Sequence, residues 1–263
     1  MTSVKKLKKS IRNIKRVFQH RANIDRIKAD IQKKLGELEF KFASFGGADM
    51  NYYLLRDSEK FAMLRLAIED KKDDALALSR FDKGKRLANE YNAYSKGFKD
   101  DLTPEILYYS KDALVCEYLS GERVFDVLQR DRSKVWDILI SAMLIYQKLH
   151  ALGIVHLDAT LKNFVMDDDR MKVIDFEYYA GIPEFDIEEQ KAYDYVRIIE
   201  HTLRTIPGEY QGNYHQFIKD LDKIVPSEIR DVDFTHVKPW IKNIQAYPIY
   251  PDLKEKIFPK LSF

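Results

Sequence analysis

The chain has 263 residues, 45% hydrophobic and 33% charged, an ordinary globular composition with enough length to bury a real core in one large or two small domains. No apolar run approaches the length that crosses a bilayer, no continuous apolar segment reads as a secretory signal, and the single Cys116 cannot form an internal disulfide, so a reducing, cytoplasmic setting is expected. The net charge of +2 conceals an uneven distribution: residues 1–35 hold twelve Lys or Arg against Asp25 and Asp30, a net of +10, which leaves −8 for residues 36–263.

That basic segment is periodic. Apolar residues fall at Val4, Leu7, Ile11, Ile14 and Phe18, then at Ile24, Ile27, Ile31, Leu35 and Leu38, steps of three and four that predict a helix whose stripe changes phase near Arg21. A basic amphipathic segment over residues 1–36 has two readings. It binds an anionic membrane surface or acidic partner through residues 1–20, or it packs its stripe on the body of the protein and solvates its charges. Residues 24–38 can dock while 1–20 stay free.

From Glu37 the period shortens to two. Glu39-Phe40-Lys41-Phe42, Tyr52-Tyr53-Leu54-Leu55 and residues 61–66 read as strands, joined by the small-residue turn Ser44-Phe45-Gly46-Gly47-Ala48 and the polar turn Asp57-Ser58-Glu59-Lys60. A turn with Gly46 and Gly47 lets backbone N–H groups approach phosphates, although a plain hairpin carries the same signature. A polar stretch at residues 70–74 precedes a helix around residues 85–94. Two more strands follow at 102–109 and 113–119, closed by Ser120-Gly121, with Cys116 as a packed small hydrophobe. Residues 124–128 and 133–149 turn helical, the second with a buried face at positions 135, 139, 142, 143, 146 and 149.

Residues 150–177 hold the chemistry. Asp158 follows His156-Leu157, Asn163 comes five residues later, and Asp175 twelve after that. Phe164-Val165-Met166 and Met171-Lys172-Val173-Ile174 read as strands around the turn Asp167-Asp168-Asp169-Arg170. Such a hairpin sets Asn163 and Asp175 side by side, with Asp158 on the preceding loop. An Asn oxygen and a carboxylate suit Mg²⁺, which completes its shell with water and substrate phosphates. The pattern H-x-D-x-x-x-x-N, then a hydrophobic strand and D-F, resembles the catalytic and metal-binding loops of the protein-kinase-like superfamily. The resemblance covers about residues 37–200.

It implies an α+β, two-lobed fold: an N-terminal antiparallel sheet with one helix at residues 37–118 and a mainly helical C-terminal lobe at 119–263, preceded by the basic segment. It also implies in-line transfer of the γ-phosphoryl group of Mg-ATP to an acceptor hydroxyl that Asp158 orients and deprotonates, with Asn163 and Asp175 holding Mg²⁺. Gly46 and Gly47 stand where the nucleotide-covering loop belongs, though the superfamily's G-x-G-x-x-G is not present. Arg65 takes the place of the strand lysine that grips the α- and β-phosphates, with Lys60 as a fallback, and Glu90 that of its helix partner; Arg and Lys are not interchangeable at such a site. Glu117 and Leu119 fall on the segment that offers backbone hydrogen bonds to adenine. Lys162 either steadies the transferring phosphate or faces solvent. His156 is structural, and Asp194, on a helix at residues 188–200, matches the buried Asp of the large lobe.

Asp194 comes only nineteen residues after Asp175, with no A-P-E element between them, and Leu157 replaces the Arg that receives an activation-loop phosphate. These departures argue against control through such a loop and against an ordinary peptide acceptor. Within the superfamily, the compact loops resemble bacterial lipopolysaccharide-core and Kdo kinases, and the I-D-F-E ending resembles choline, ethanolamine and aminoglycoside phosphotransferases. Thr160 and the Lys191-Ala192-Tyr193-Asp194 helix resemble the small atypical kinase of the KEOPS complex, with RIO kinases further off. An envelope saccharide is the preferred acceptor. The alternatives are a lipid-linked or protein hydroxyl, the latter for an atypical serine/threonine kinase, and a nucleotide-binding pseudokinase scaffold. No nucleic-acid partner is expected, and the cytoplasmic location becomes peripheral on the inner face of the membrane if residues 1–20 bind it. Residues 205–263 complete the helical lobe or shape the acceptor site.

Overall fold

The computed structural model describes residues 2–46, 48–71 and 77–263, with the backbone alone for residues 2–14. The chain divides into two compact units. The first comprises Met1–Lys72, Phe81–Tyr91 and Glu105–Tyr118, the second Asp73–Arg80, Asn92–Pro104 and Leu119–Phe263. No helix of the described residues is long and apolar enough to cross a membrane.

The first unit opens on α1 (Thr2–Leu35), a continuous helix of 34 residues. It is followed by β1 (Glu39–Gly46), β2 (Asp49–Arg56) and β3 (Glu59–Ala67). After β4 (Leu78–Ser79), which belongs to the second unit, come α2 (Lys83–Gly97), β5 (Ile106–Ser110) and β6 (Ala113–Glu117). The five-stranded sheet has the order β1-β2-β3-β6-β5 and is antiparallel throughout. Alternation at period two sends Met50, Tyr52 and Leu54, Ala62, Leu64 and Leu66, and Ala113 and Val115 to one face, where Ile24, Ile27 and Ile31 complete a buried core. The sequence predicts one helix with this sheet. α1 adds a second, because isoleucines at i, i+3 and i+7 give the apolar face a cover. The docked phase is that of the second apolar run; Phe18, last of the first run, is 74% exposed.

Several boundaries differ from the predicted ones. The β2–β3 turn is only Asp57-Ser58, both at positive φ (51° and 69°), the mirror-image turn that matches strand twist, so Glu59 and Lys60 join β3. β1 runs on to Gly46 because Ser44 and Phe45 pair with Asn51 and Met50 after a bulge at Ala43. The predicted turn 44–48 therefore shrinks to the residues after Gly46, of which Gly47 lies outside the described residues, as do residues 72–74 of the predicted polar stretch. β5 begins at Ile106, not at residue 102: Pro104 has no N–H for a ladder, and Thr103 turns its hydroxyl to the Tyr94 carbonyl at 3.1 Å.

The second unit holds β7 (Glu122–Arg123), α3 (Val124–Arg130), α4 (Val135–Ala151), β8 (Phe164–Asp167), β9 (Arg170–Val173), β10 (Tyr179–Ala180), α5 (Ile187–Thr205) and α6 (His215–Ile224). β7, β8 and β9 form one small sheet, and β10 pairs with β4 in another. The β8–β9 turn is again two residues, Asp168-Asp169 at φ 44° and 65°, half the predicted length. α4 buries Ile138, Leu139, Ala142, Met143, Tyr146 and Leu149, and α5 buries Tyr193, Tyr195, Val196, Ile199 and Leu203. α5 starts where Asp186 caps it, accepting from the Glu189 amide at 2.8 Å. The C-terminal segment buries Phe234, Ile241, Leu253 and Phe258 and is tied to α5 by Glu189 to His236 (2.7 Å) and Glu200 to Asn243 (3.2 Å), so it is part of the helical unit.

Gly121 stands just before β7, where a Cβ would lie 1.5 Å from the Met166 carbonyl oxygen, a backbone atom that cannot swing aside. Gly121→Ala should cost about 3 kcal/mol, read as a lower urea midpoint at unchanged m-value. A shift under about 0.5 kcal/mol would mean that the backbone relaxes there.

Candidate functional site

In the first unit Arg65 sits on β3 between Leu64 and Leu66. Those two enter the core with α1, so period two turns Arg65 to the opposite face of the sheet. Its guanidinium lies 3.1 Å from the Glu90 carboxylate of α2, with the two side chains 22% and 4% exposed. A carboxylate this deeply buried requires its cation, and removing either partner strands the other charge. Cys116 lies opposite Met63 in the β3–β6 ladder. Burial pushes its thiol up to about 12, and the Glu90 carboxylate adds to the shift. Lys60, the fallback cation, reaches the Tyr118 hydroxyl at 3.1 Å and lies over the Tyr53 and Tyr118 rings.

Gly46 closes β1 opposite Asp49, and the placement of Gly47 is outside the described residues. Asp49 is a residue that sequence reasoning missed. Its buried carboxylate takes Arg86 at 2.8 Å and Lys71 at 3.3 Å, while Arg86 also donates to the carbonyls of Phe81 (2.9 Å) and Glu69 (3.2 Å). This network fixes the strand end that follows the glycine turn. A partner 37 residues away leaves no local signal of the pairing. Glu117 ends β6 and gives its N–H to the Glu105 carbonyl at 2.9 Å; Leu119 begins the second unit and is half-buried.

The second unit is organised around Asp194 of α5, which is wholly buried. One carboxylate oxygen accepts the His156 amide at 2.7 Å and meets His150 Nε2 at 3.1 Å; the other accepts the Leu157 amide at 2.8 Å. These bonds hold Leu157 at φ 63°, a left-handed conformation that is costly for a bulky apolar residue. His156 uses both ring nitrogens: Nδ1 accepts from the Asp158 amide at 3.2 Å, so Nε2 donates to the Ile174 carbonyl at 3.0 Å. Asn163 Nδ2 donates to the Asp158 carbonyl at 2.9 Å, which leaves its Oδ1 as the free end of the amide.

The hairpin brings its ends together one residue out of the predicted register. The Asn163 carbonyl receives the Ile174 amide at 2.9 Å, and Asp175 follows at φ 72° with its amide donating to the Tyr94 hydroxyl at 3.1 Å. Tyr94 was not legible as a site residue, since its partner is 81 residues away. Among the described residues the Asp158 carboxylate makes no hydrogen bond. Lys162 is exposed, with its ammonium 5.0 Å from the Phe125 ring centroid. No group of three His, Cys, Asp or Glu side chains forms a metal cage among the described residues. An amide oxygen and one or two carboxylates nevertheless suit Mg²⁺, which draws the rest of its shell from phosphates and water.

Beyond Asp175 the chain is strapped down. Tyr179 and Ala180 pair with Ser79 and Leu78, the Gly181 amide donates to the Ala77 carbonyl at 2.8 Å, and Arg80 grips Glu177 at 2.7 Å while lying over the Tyr178 ring. Burial pushes the Tyr178 hydroxyl up to about 12.

No family model matches the chain. It is similar to the probable serine/threonine-protein kinase BUD32 homolog of Archaeoglobus fulgidus, with 33% identity over 84 residues, 32% of this chain and 38% of that protein. The chain thus spans less than two-fifths of the length of this curated relative.

Asp194→Ala leaves two buried amides and an imidazole without an acceptor, and should destabilise the second unit by about 4 kcal/mol in urea denaturation. A loss below about 1 kcal/mol would show that water replaces the carboxylate. The raised Cys116 thiol should resist iodoacetamide at pH 8 in the native chain and react once unfolded in urea; rapid native labelling would contradict the raised thiol.

Proposed function

We propose that the chain is an atypical member of the protein-kinase-like superfamily and transfers the γ-phosphoryl group of ATP to an acceptor hydroxyl. The observation that carries this reading is the fixed backbone around a free carboxylate. Asp158 is held through its amide by His156 and through its carbonyl by Asn163, while its carboxylate is engaged by neither. Asp158 would accept the proton of the attacking hydroxyl as the new P–O bond forms and the bond to the departing ADP breaks. Asn163 Oδ1 and the Asp175 carboxylate would hold Mg²⁺, which when bound supplies charge neutralisation on the phosphates. Arg65, braced by Glu90, would grip the phosphates as a fork, in the place a lysine holds in the superfamily pattern. Lys162, next to Asn163, would meet the transferring phosphate, and Glu117 and Leu119 would bind adenine through their backbone. Gly46 and Gly47 would approach the phosphates through backbone N–H groups.

The relative named above is a probable serine/threonine-protein kinase, which favours a protein hydroxyl over the envelope saccharide as the acceptor. The saccharide rests on the shortness of the segment between Asp175 and Asp194 and on the basic helix as a hold on an anionic membrane.

Mg²⁺-dependent ATP turnover and phosphoryl transfer by the full chain should fall by about 10²–10⁴-fold in Asp158→Asn. Equal, negligible turnover in both proteins would leave a nucleotide-binding scaffold instead of an enzyme. With γ-labelled ATP, label should enter phosphoserine or phosphothreonine; label confined to a saccharide fraction would reverse the choice of acceptor.

A further inference from the structure

The sequence gives the uninterrupted helix α1 two apolar stripes, and the second of them packs on the sheet. At about 100° per residue, Ile24, Ile27, Ile31 and the partly buried Val17 and Leu35 define the docked face, while Val4, Leu7, Ile11, Ile14 and Phe18 centre about 130° away from it. Arg16 marks the docked side as well, buried against Glu69 at 2.7 Å. A helix without a break cannot turn both stripes to the same sheet. Phe18, the member of the first stripe whose side chain is described, is accordingly 74% exposed.

The setting of that stripe is strongly cationic. No acidic residue occurs before Asp25, and positions Lys8, Arg12 and Lys15 border the stripe along one flank. An apolar strip about 80° wide beside a row of cations is the pattern of a helix lying in a membrane interface, with the apolar residues at the acyl boundary and the lysines among anionic headgroups. A flat surface touches such a strip along its length without wrapping the rod. A binding groove in a protein partner would have to enclose the helix while its far end is packed on the first unit.

We propose that the N-terminal half of α1 is a peripheral anchor for an anionic lipid bilayer, oriented by the phase difference between the two stripes. It is independent of the phosphotransfer reading, because none of these residues belongs to the candidate site.

The test is sedimentation of the full chain with vesicles of phosphatidylglycerol and phosphatidylcholine, against phosphatidylcholine alone. Wild type should partition at least tenfold more strongly to the anionic vesicles, and the affinity should fall as salt is raised. Replacing Leu7, Ile11 and Phe18 together by Gln should lower the partition coefficient at least tenfold, with unchanged circular dichroism confirming the fold. In Phe18→Trp, brominated lipid should quench the new tryptophan. No binding to anionic vesicles would overturn the proposal. So would a triple variant that binds like wild type, the mark of charge attraction alone, which RNA or an acidic protein would give equally.

Discussion

A buried carboxylate with no solvent must be surrounded by donors, and the donors that Asp194 collects dictate the geometry of the loop that carries Asp158. It takes two successive amides, those of His156 and Leu157, and the His150 ring at the end of α4. Directly after these two anchored amides Leu157 stands in the left-handed region, a bend across which the Asp158 amide donates back to the His156 ring. That bend sets the direction of Asp158, and Asn163 and Ile174 then lock the following hairpin to it. A residue on α5 thus positions a loop more than thirty residues before it, before any substrate arrives.

Both units place strain or charge where a neighbouring interaction compensates for it. In the second unit the left-handed Leu157 and Asp175 are held by Asp194 and by the Tyr94 hydroxyl. In the first, Arg65–Glu90 and Arg86–Asp49 keep buried charges that apolar residues could replace with little loss of stability. What an ion pair adds at these positions is a fixed side-chain direction, at Arg65 for a guanidinium and at Asp49 for the strand end beside the glycine turn.

The sequence made the long periodic elements and the D-x-x-x-x-N spacing readable, because helix and strand periods and a local motif need only neighbours in the chain. It misled wherever two residues far apart in sequence decide the outcome. The Asp49–Arg86 pair, the Tyr94 hydroxyl and the Arg80–Glu177 pair have no local signature. The turn lengths were overestimated for a different reason. Asp57-Ser58 and Asp168-Asp169 adopt a conformation usually given to Asn-Gly or Asp-Gly, so composition alone did not mark them as tight. The helical stripe of residues 24–38 was visible, but which of two phases would find a sheet depended on the sheet.

His156 spends one nitrogen on the Asp158 amide and the other on the Ile174 carbonyl. It therefore has no lone pair to lend, and it is no relay for Asp158. On the proposed reaction, a proton collected by the Asp158 carboxylate is therefore not handed on through His156. Giving that proton to water or to the product phosphate would return the carboxylate to its charged form for the next turnover.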